Sequence, residues 1–478
     1  MTKEIQQETI RGIALRAKAL GGRAMLVGGC VRDALTGCES ADIDCEVYGL
    51  APQALRSLAA EFGEVDESGA RYGIFSLRGA GIDLAVPRLE RRTGPKHGDF
   101  DVRLDPALPF ARAAARRDFT VNAILRDALT GEIVDPFGGQ ADLRRGVLRA
   151  VPGDGFAEDP LRVLRGAQFA ARFRLSPDAK TLEKMRTMKT DALSPARVLG
   201  EMKKAMASDA PDVFFDVLRR ADALRPWFGE LAALIGVPQP PRYHPEGDAY
   251  THSMLVLHAA AQKKARALRP EAFVFAALTH DLGKAVSTAR GEDGEWHACG
   301  HENTGVPLTR AMLGRLGVNR EIIAYCENMC RLHMRAHVCY YRQAETGETN
   351  LLFDESVCPN DLALLVVCDT MGKGSASGGA DGEAAFLTGR VRVYEETAAR
   401  GLPDGGMLLA AGMEPGPQLA EALAAARRRG ERHAVAAQLH QARPRFGAQD
   451  RTALRRRPAV GLFLPHRAAA RTARHQTQ

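Results

Sequence analysis

Apolar residues alternate with polar ones in short bursts over the first 150 positions: AMLVGG at 24–29, IDCEVY at 43–48, GIFSLR at 73–78 and GIDLAV at 81–86. A period of two over four to six residues predicts half-buried strands. Helical stretches lie between them, and turn signals such as DPFGG at 135–139 punctuate the region. Residues 1–150 are therefore expected to form an α/β module with a mixed sheet. From about Phe156 the apolar spacing lengthens to that of amphipathic helices, broken by the Pro- and Gly-rich segment GVPQPPRYHPEGD at 236–248. The expectation is a helical neck and body over 151–240, a second helical domain over 241–400, and a C-terminal region over 401–478. The last stretch, Ala- and Arg-rich and without a clear amphipathic period after Ala448, reads as a partly disordered tail.

Composition adjusts this picture in two places. The 478 residues suit about three domains, and 45% hydrophobic with 26% charged residues is ordinary for a folded soluble protein. The formal charge of +7 is a property of the end of the chain, because residues 427–478 hold 13 Arg against 2 acids and leave the remainder net acidic. A more informative excess lies between Arg144 and Lys204, with 14 Lys or Arg against 7 acids, a cation density able to track a phosphate backbone. Nine cysteines without a CxxC pair fit a reducing cytoplasm. The longest apolar runs, such as LALLVV at 362–367, fall far short of a membrane span.

Two constellations carry chemistry. LVGGCVRDALTG at 26–37 reads as a strand, a Gly-Gly turn and a helix, in which Gly28 and Gly29 let backbone N–H groups approach a triphosphate. Asp42 and Asp44 follow in a strand, where alternation puts both carboxylates on one side and Ile43 in the core. Asp83, in the run GIDLAV, offers a third carboxylate from a neighbouring strand, and three such groups suit a two-metal Mg²⁺ site. RRDFTVNA at 116–123 supplies cations and hydrogen-bonding groups. EDPLRVLR at 158–165 opens a helix, with Asp159 and Arg162 expected on one face. Cytosine and adenine share an exocyclic amine beside an unprotonated ring nitrogen, an edge that an Asp acceptor and an Arg donor match.

The second constellation is His252, the pair His280-Asp281 and Asp369, two imidazoles and two carboxylates suited to Mn, Ni, Mg or Fe. Lys284 follows the pair, and His301 and His333 are candidates for a second metal position or, equally, exposed histidines at helix ends. The set resembles the HD phosphohydrolase superfamily.

The ordered segments LVGGCVRD, DID, RRDFTVNA, EDPLRVLR and SPARVLGEM at 194–202 resemble the successive motifs of class II tRNA nucleotidyltransferases and bacterial poly(A) polymerases. The resemblance implies a polymerase-beta-like head, followed by mostly helical neck, body and HD domains. It implies Mg²⁺ on Asp42 and Asp44, with Asp83 joining them in catalysis. Gly28, Gly29 and Arg32 then contact the triphosphate, Arg117, Asp118 and Asn122 lie near the ribose and phosphates, Asp159 and Arg162 read the base, and Arg165 meets the triphosphate. Gln168 stands where many relatives carry a further Arg, and it supplies no charge. PRLERRTGPKHGDF at 87–100 resembles the flexible loop with which full CCA enzymes switch from C to A, with Glu90 and Arg91 as the lever. The implied partners are the tRNA acceptor arm, CTP and ATP. Rival readings are a poly(A) polymerase, a CC-adding or A-adding enzyme, and a protein uridylyltransferase. Some relatives hydrolyse phosphate monoesters or 2′,3′-cyclic phosphates at the HD site.

Overall fold

The computed structural model describes residues 2–38, 40, 42–92, 100–374, 379–399 and 405–429. The described residues fall into two compact units, one within 2–344 and 352–391, the other within 345–351 and 392–429. In the second unit the helices Gly405–Ala410 and Pro417–Arg429 meet through Leu408, Leu419 and Ala422.

The first unit opens with a seven-stranded mixed sheet. Its strands are β1 (Arg23–Val27), β2 (Ile43–Tyr48), β3 (Val65–Asp66), β4 (Ile74–Leu77), β5 (Ile82–Ala85), β8 (Leu125–Asp127) and β9 (Ile133–Val134), ordered β3-β4-β5-β2-β1-β8-β9. Two further strands, β6 (Arg88–Arg92) and β7 (Phe100–Leu104), pair as a separate antiparallel ribbon. The loop expected over 87–100 is thus corrected at both ends, where backbone pairing replaces loop; its centre, 93–99, and the side chains of Glu90 and Arg91 lie outside the described residues. All four alternating bursts of the sequence became strands of the main sheet.

Period-two alternation explains how one strand serves core and site together. On β2, Cys45 and Val47 enter the core with Ile82, Leu84 and Leu58, whereas Asp44 and Glu46 face the other way. Pairing between β2 and β5 is the one parallel contact in the sheet, and its register sets Asp44 opposite Asp83. Crossing Gly28, the chain turns from β1 into the helix Gly29–Leu35, with φ of +74° at Gly28. A Cβ there would lie 2.9 Å from the Arg117 guanidinium and 3.4 Å from an Asp44 carboxylate oxygen, so glycine is required by space as well as by φ.

Helices take over beyond the sheet. Leu161–Phe173 packs on Pro195–Met206 and on Asp212–Arg220, burying Val163, Leu164, Val198, Met202 and Phe214. A second bundle is built from Ala249–Lys263, Pro270–Thr279, His301–Leu316, Arg320–Tyr341 and Pro359–Gly372. Pro270–Thr279 is buried from Ala272 to Thr279, which makes it the central helix and brings the His280-Asp281 pair at its end into the interior. Among the described residues, no helix is long and apolar enough to cross a membrane.

Candidate functional site

The head carries a cleft of about 490 Å³ lined by Gly28, Gly29, Arg32, Asp44, Arg116, Arg117, Asp118, Asn122, Asp159, Arg162, Arg165, Phe169 and Arg197, with Leu161 completing the wall. Every nucleotide-binding candidate named from the sequence lines it. All three head carboxylates are exposed; Asp44 lines the cleft, with Asp42 and Asp83 beside it. Protein packed around the Asp44 carboxyl strips part of its hydration and raises it above its ordinary value, and Asp83, Asp42 and Glu46 repel it further against the pull of Arg117. Such crowding fits a divalent cation, whose charge would satisfy all three acids.

Buried acids hold the cleft's arginines. Glu46 accepts from Arg116 at 2.8 Å, Arg117 at 2.9 Å and the Tyr48 hydroxyl at 2.9 Å. Burial pushes the Glu46 carboxyl up, but Arg117 and Arg116 outweigh it and hold the group at about 2. Asp118 accepts from Arg165 at 2.7 Å, from the Asn122 amide at 2.9 Å and from the backbone N–H of Phe119 at 2.8 Å. Its burial is likewise overcome, chiefly by Arg165, and the carboxyl lies below its ordinary value. Arg32 donates to Asn122 at 2.7 Å and stacks on Phe173 at 4.0 Å.

Asp159 and Arg162 corrected one expectation. The helix begins at Leu161, so Asp159 lies before it in extended backbone, and the two do not share a helical face. The Asp159 carboxylate takes the Arg197 guanidinium, at 2.8 and 3.1 Å from its two oxygens. Arg162 donates at 2.6 Å to the carbonyls of Gly155 and Arg116. Arg197 sits inside the SPARVLGEM segment but was not singled out in the sequence, because its partner is fixed only when two helices dock. Gln168 is buried, and its amide nitrogen has no hydrogen-bond partner among the described residues, so it adds nothing to the cleft's charge.

The helical bundle gathers the second constellation. His252 Nε2 lies 2.9 Å from Asp369 Oδ1 and 3.6 Å from Asp281 Oδ2, and His280 Nε2 lies 3.3 Å from Asp281 Oδ2. On the other oxygen of Asp281, His301 Nε2 stands at 3.1 Å and His333 Nε2 at 3.6 Å. Both are buried, so the alternative of exposed helix-end histidines is excluded. Asp281 therefore joins two ligand sets, one of His252, His280 and Asp369 and one of Asp281, His301 and His333. Lys284 reaches Asp281 Oδ2 at 2.7 Å.

The ring orientations fit a metal. Nδ1 of His280, His301 and His333 faces the carbonyl three residues earlier, at 2.9, 2.7 and 2.6 Å from Ala277, Ala298 and Cys330. Each carbonyl accepts the Nδ1 proton, which leaves Nε2 with its lone pair aimed at the cluster. Among the described residues His280 Nε2 is buried without a hydrogen-bond partner, which fits a metal-ligand atom. Burial lowers His333 to about 4, keeping it neutral at working pH. For Asp281, burial is outweighed by His280 and Lys284, and for Asp369 by Lys373 and His337, so both carboxyls stay well below the ordinary range.

Two outer residues, Glu246 and His337, escaped sequence reasoning. Glu246, in the segment read as a domain boundary, accepts from Nδ1 of both His244 and His252 at 2.8 Å. His337, one helical turn after His333, faces Asp369 Oδ2 at 2.7 Å and Glu383 at 2.8 Å. Burial opposes charge on its ring, but Asp369 and Glu383 raise it to about 9.

A strand pair that presents acids to an arginine-lined cleft, joined to a buried histidine-carboxylate cluster, defines a nucleotidyltransferase coupled to an HD-type domain. Family models agree: Poly A polymerase head domain over residues 24–149, Probable RNA and SrmB- binding site of polymerase A over 174–235, and HD domain over 249–364. A multifunctional CCA protein of Xanthomonas campestris pv. campestris is 37% identical over 419 residues, covering 84% of this chain and 96% of the relative. One from Nitrosococcus oceani is 41% identical over 318 residues, 65% of this chain and 74% of the relative. The chain belongs to the multifunctional CCA protein family. Among solved structures, a Thermotoga maritima CCA-adding enzyme complexed with tRNA shares the fold at a TM-score of 0.59 and 17% identity, covering 91% of this chain and 95% of that one. The Bacillus stearothermophilus CCA-adding enzyme in complex with CTP matches at 0.59 and 20%, covering 93% and 99%.

Proposed function

We propose that this chain adds CCA to the 3′ end of tRNA, without a nucleic-acid template, from CTP and ATP in the cytoplasm. The observation that carries this reading is that Asp44 and the Asp159–Arg197 pair open into one arginine-lined cleft. Asp42, Asp44 and Asp83 would hold Mg²⁺, which when bound neutralises charge on the reacting phosphate. Arg32, Arg117 and Arg165 receive the triphosphate, with Arg32 set by Asn122, Arg165 by Asp118 and Arg117 by Glu46. Asp159 offers its carboxylate to the exocyclic amine of cytosine or adenine, and Arg162 directs an N–H toward the ring nitrogen. The tRNA 3′ oxygen forms a bond to the α-phosphorus as the bond to pyrophosphate breaks.

In the helical bundle, His252, His280, Asp281 and Asp369 would hold a divalent ion such as Ni, Mn or Mg, with His301 and His333 forming a second position. The ligand chemistry supports hydrolysis of phosphate monoesters or 2′,3′-cyclic phosphates there, with Lys284 beside Asp281 to receive the phosphate.

The head reading is tested by offering tRNA ending at position 73, tRNA-C and tRNA-CC with CTP and ATP, singly and together. CCA addition predicts C onto the first two substrates and A onto tRNA-CC; long A tails, or A alone onto tRNA-CC, would replace this reading with a polymerase or an A-adding enzyme.

A further inference from the structure

Asp369 uses its two oxygens differently. Oδ1 faces His252 Nε2 at 2.9 Å, on the side of the ligand cluster, while Oδ2 is taken by His337 Nε2 at 2.7 Å. The other ring nitrogen of His337 meets Glu383 Oε1 at 2.8 Å, and the second oxygen of Glu383 accepts from the Thr370 hydroxyl. With a carboxylate against each nitrogen, His337 has no atom left for a metal. Its action must pass through Asp369.

The chain of contacts is buried throughout: His337 is 2% exposed, Glu383 1%, Asp369 4% and Thr370 6%. A buried glutamate is costly to keep unless its partners are fixed, and here both oxygens are engaged. Three helices contribute, Arg320–Tyr341, Pro359–Gly372 and Ala380–Ala399, so the contact also ties Glu383, which lies past the stretch matched by the HD family model, to the ligand cluster. Thr370 adjoins Asp369 on its own helix, which closes the path from Glu383 back to the ligand.

We propose that His337, held by Glu383, is a positioning residue that restricts Asp369 to one-oxygen ligation of the HD metal. By occupying Oδ2 it keeps the carboxylate from closing on an ion with both oxygens, and by its own anchoring it stops the side chain from turning away. The inference rests on the reading that His252, His280, Asp281 and Asp369 hold a divalent ion. Outer partners of this kind commonly govern retention of a metal by about 10- to 100-fold.

The test is titration of full-length metal-free protein with Co²⁺ in an Asp42→Asn, Asp44→Asn, Asp83→Asn background, so that the head's carboxylate set is removed, following both affinity and the visible ligand-field spectrum. His337→Gln and Glu383→Gln are expected to weaken Co²⁺ binding about tenfold or more and to change band position or intensity. Thr370→Val, which leaves the imidazole in place, is expected to do the same to a smaller degree. Glu383→Gln is nearly isosteric and keeps the proposal testable if His337→Gln fails to fold. CCA addition by the single variants in the otherwise unaltered chain stays within about twofold, since the head is untouched. Wild-type affinity and spectrum in Glu383→Gln would overturn the positioning role while leaving the metal reading intact, provided His280→Ala abolishes Co²⁺ uptake. Absence of stoichiometric Co²⁺ uptake by the parent, equal to that of His280→Ala, would overturn both.

Discussion

The head cleft and the histidine cluster both hold acids and cations close together, by opposite means. In the head the acids are few and open to water, and the arginines around them are fixed from behind by the buried Glu46 and Asp118. In the bundle the acids themselves are buried, and the groups that fix them are histidines and a lysine. An open site suits a substrate that arrives as a triphosphate with its own charge and leaves after each addition. A closed one suits a resident ion. The difference also decides which residues matter: behind the head cleft the supporting groups are acids, and behind the HD cluster they are carbonyls and a second tier of side chains.

This contrast can be broken first by separating the two sites. Asp44→Asn is expected to reduce nucleotide addition by about 1,000-fold or more while leaving phosphate-ester hydrolysis intact, and His280→Ala to do the reverse. Hydrolysis surviving in purified His280→Ala would assign that activity elsewhere. Next comes Gly28→Ala, which places a methyl group against Arg117 and Asp44 at a positive φ. Because small displacements of reacting groups are costly, kcat for CTP addition should fall about 10- to 100-fold with the fold retained; near wild-type turnover would show that the cradle tolerates a side chain.

Smaller effects sharpen the contrast. Arg197→Ala frees the Asp159 carboxylate from one of its partners and should change the ratio of C to A incorporation about tenfold, read from single-nucleotide additions to tRNA-C and tRNA-CC. An unchanged ratio with uniformly lower rates would reduce Arg197 to a general cation.

The smallest effect concerns stability. Asp118 has a folded-state carboxyl below its ordinary 3.8, so its contribution is complete above that value and is lost as pH falls from there through the lower folded-state value. Asp118→Asn should cost about 2 kcal/mol near neutrality. In denaturant unfolding the gap to wild type should narrow below about pH 4; a gap constant down to pH 3 would contradict the ion pair with Arg165.

Much of the head could be read from the chain because its information is local. Alternation at 43–48 places Asp44 away from the core whatever the rest of the molecule does, and the same rule applied to 81–86 places Asp83. The order of His252, His280, Asp281 and Asp369 was legible as residue types that could hold an ion, and helix packing brought them together. What stayed hidden depends on contacts between distant segments. Asp159 and Arg162 are three apart and invite pairing, yet Arg197, 38 residues on, takes the carboxylate because Pro195–Met206 docks against Leu161–Phe173. Glu246 was obscured for a different reason: Pro and Gly around it mark a turn, and a turn read as a domain boundary draws attention from the one acid that folds back onto His252. His337 shows a third case, since nothing in RLHMRAHV distinguishes the ligand from its support one turn later.

The closure of the histidine cluster has a kinetic consequence. His252, His280 and His333 expose no surface, and Asp281 only 2% of its own. An ion held there would enter or leave only as the surrounding helices part, so its exchange would run at the pace of that opening rather than at the pace of ligand dissociation. An ion enclosed there during folding would then stay with the chain, whatever competes for it in solution afterwards.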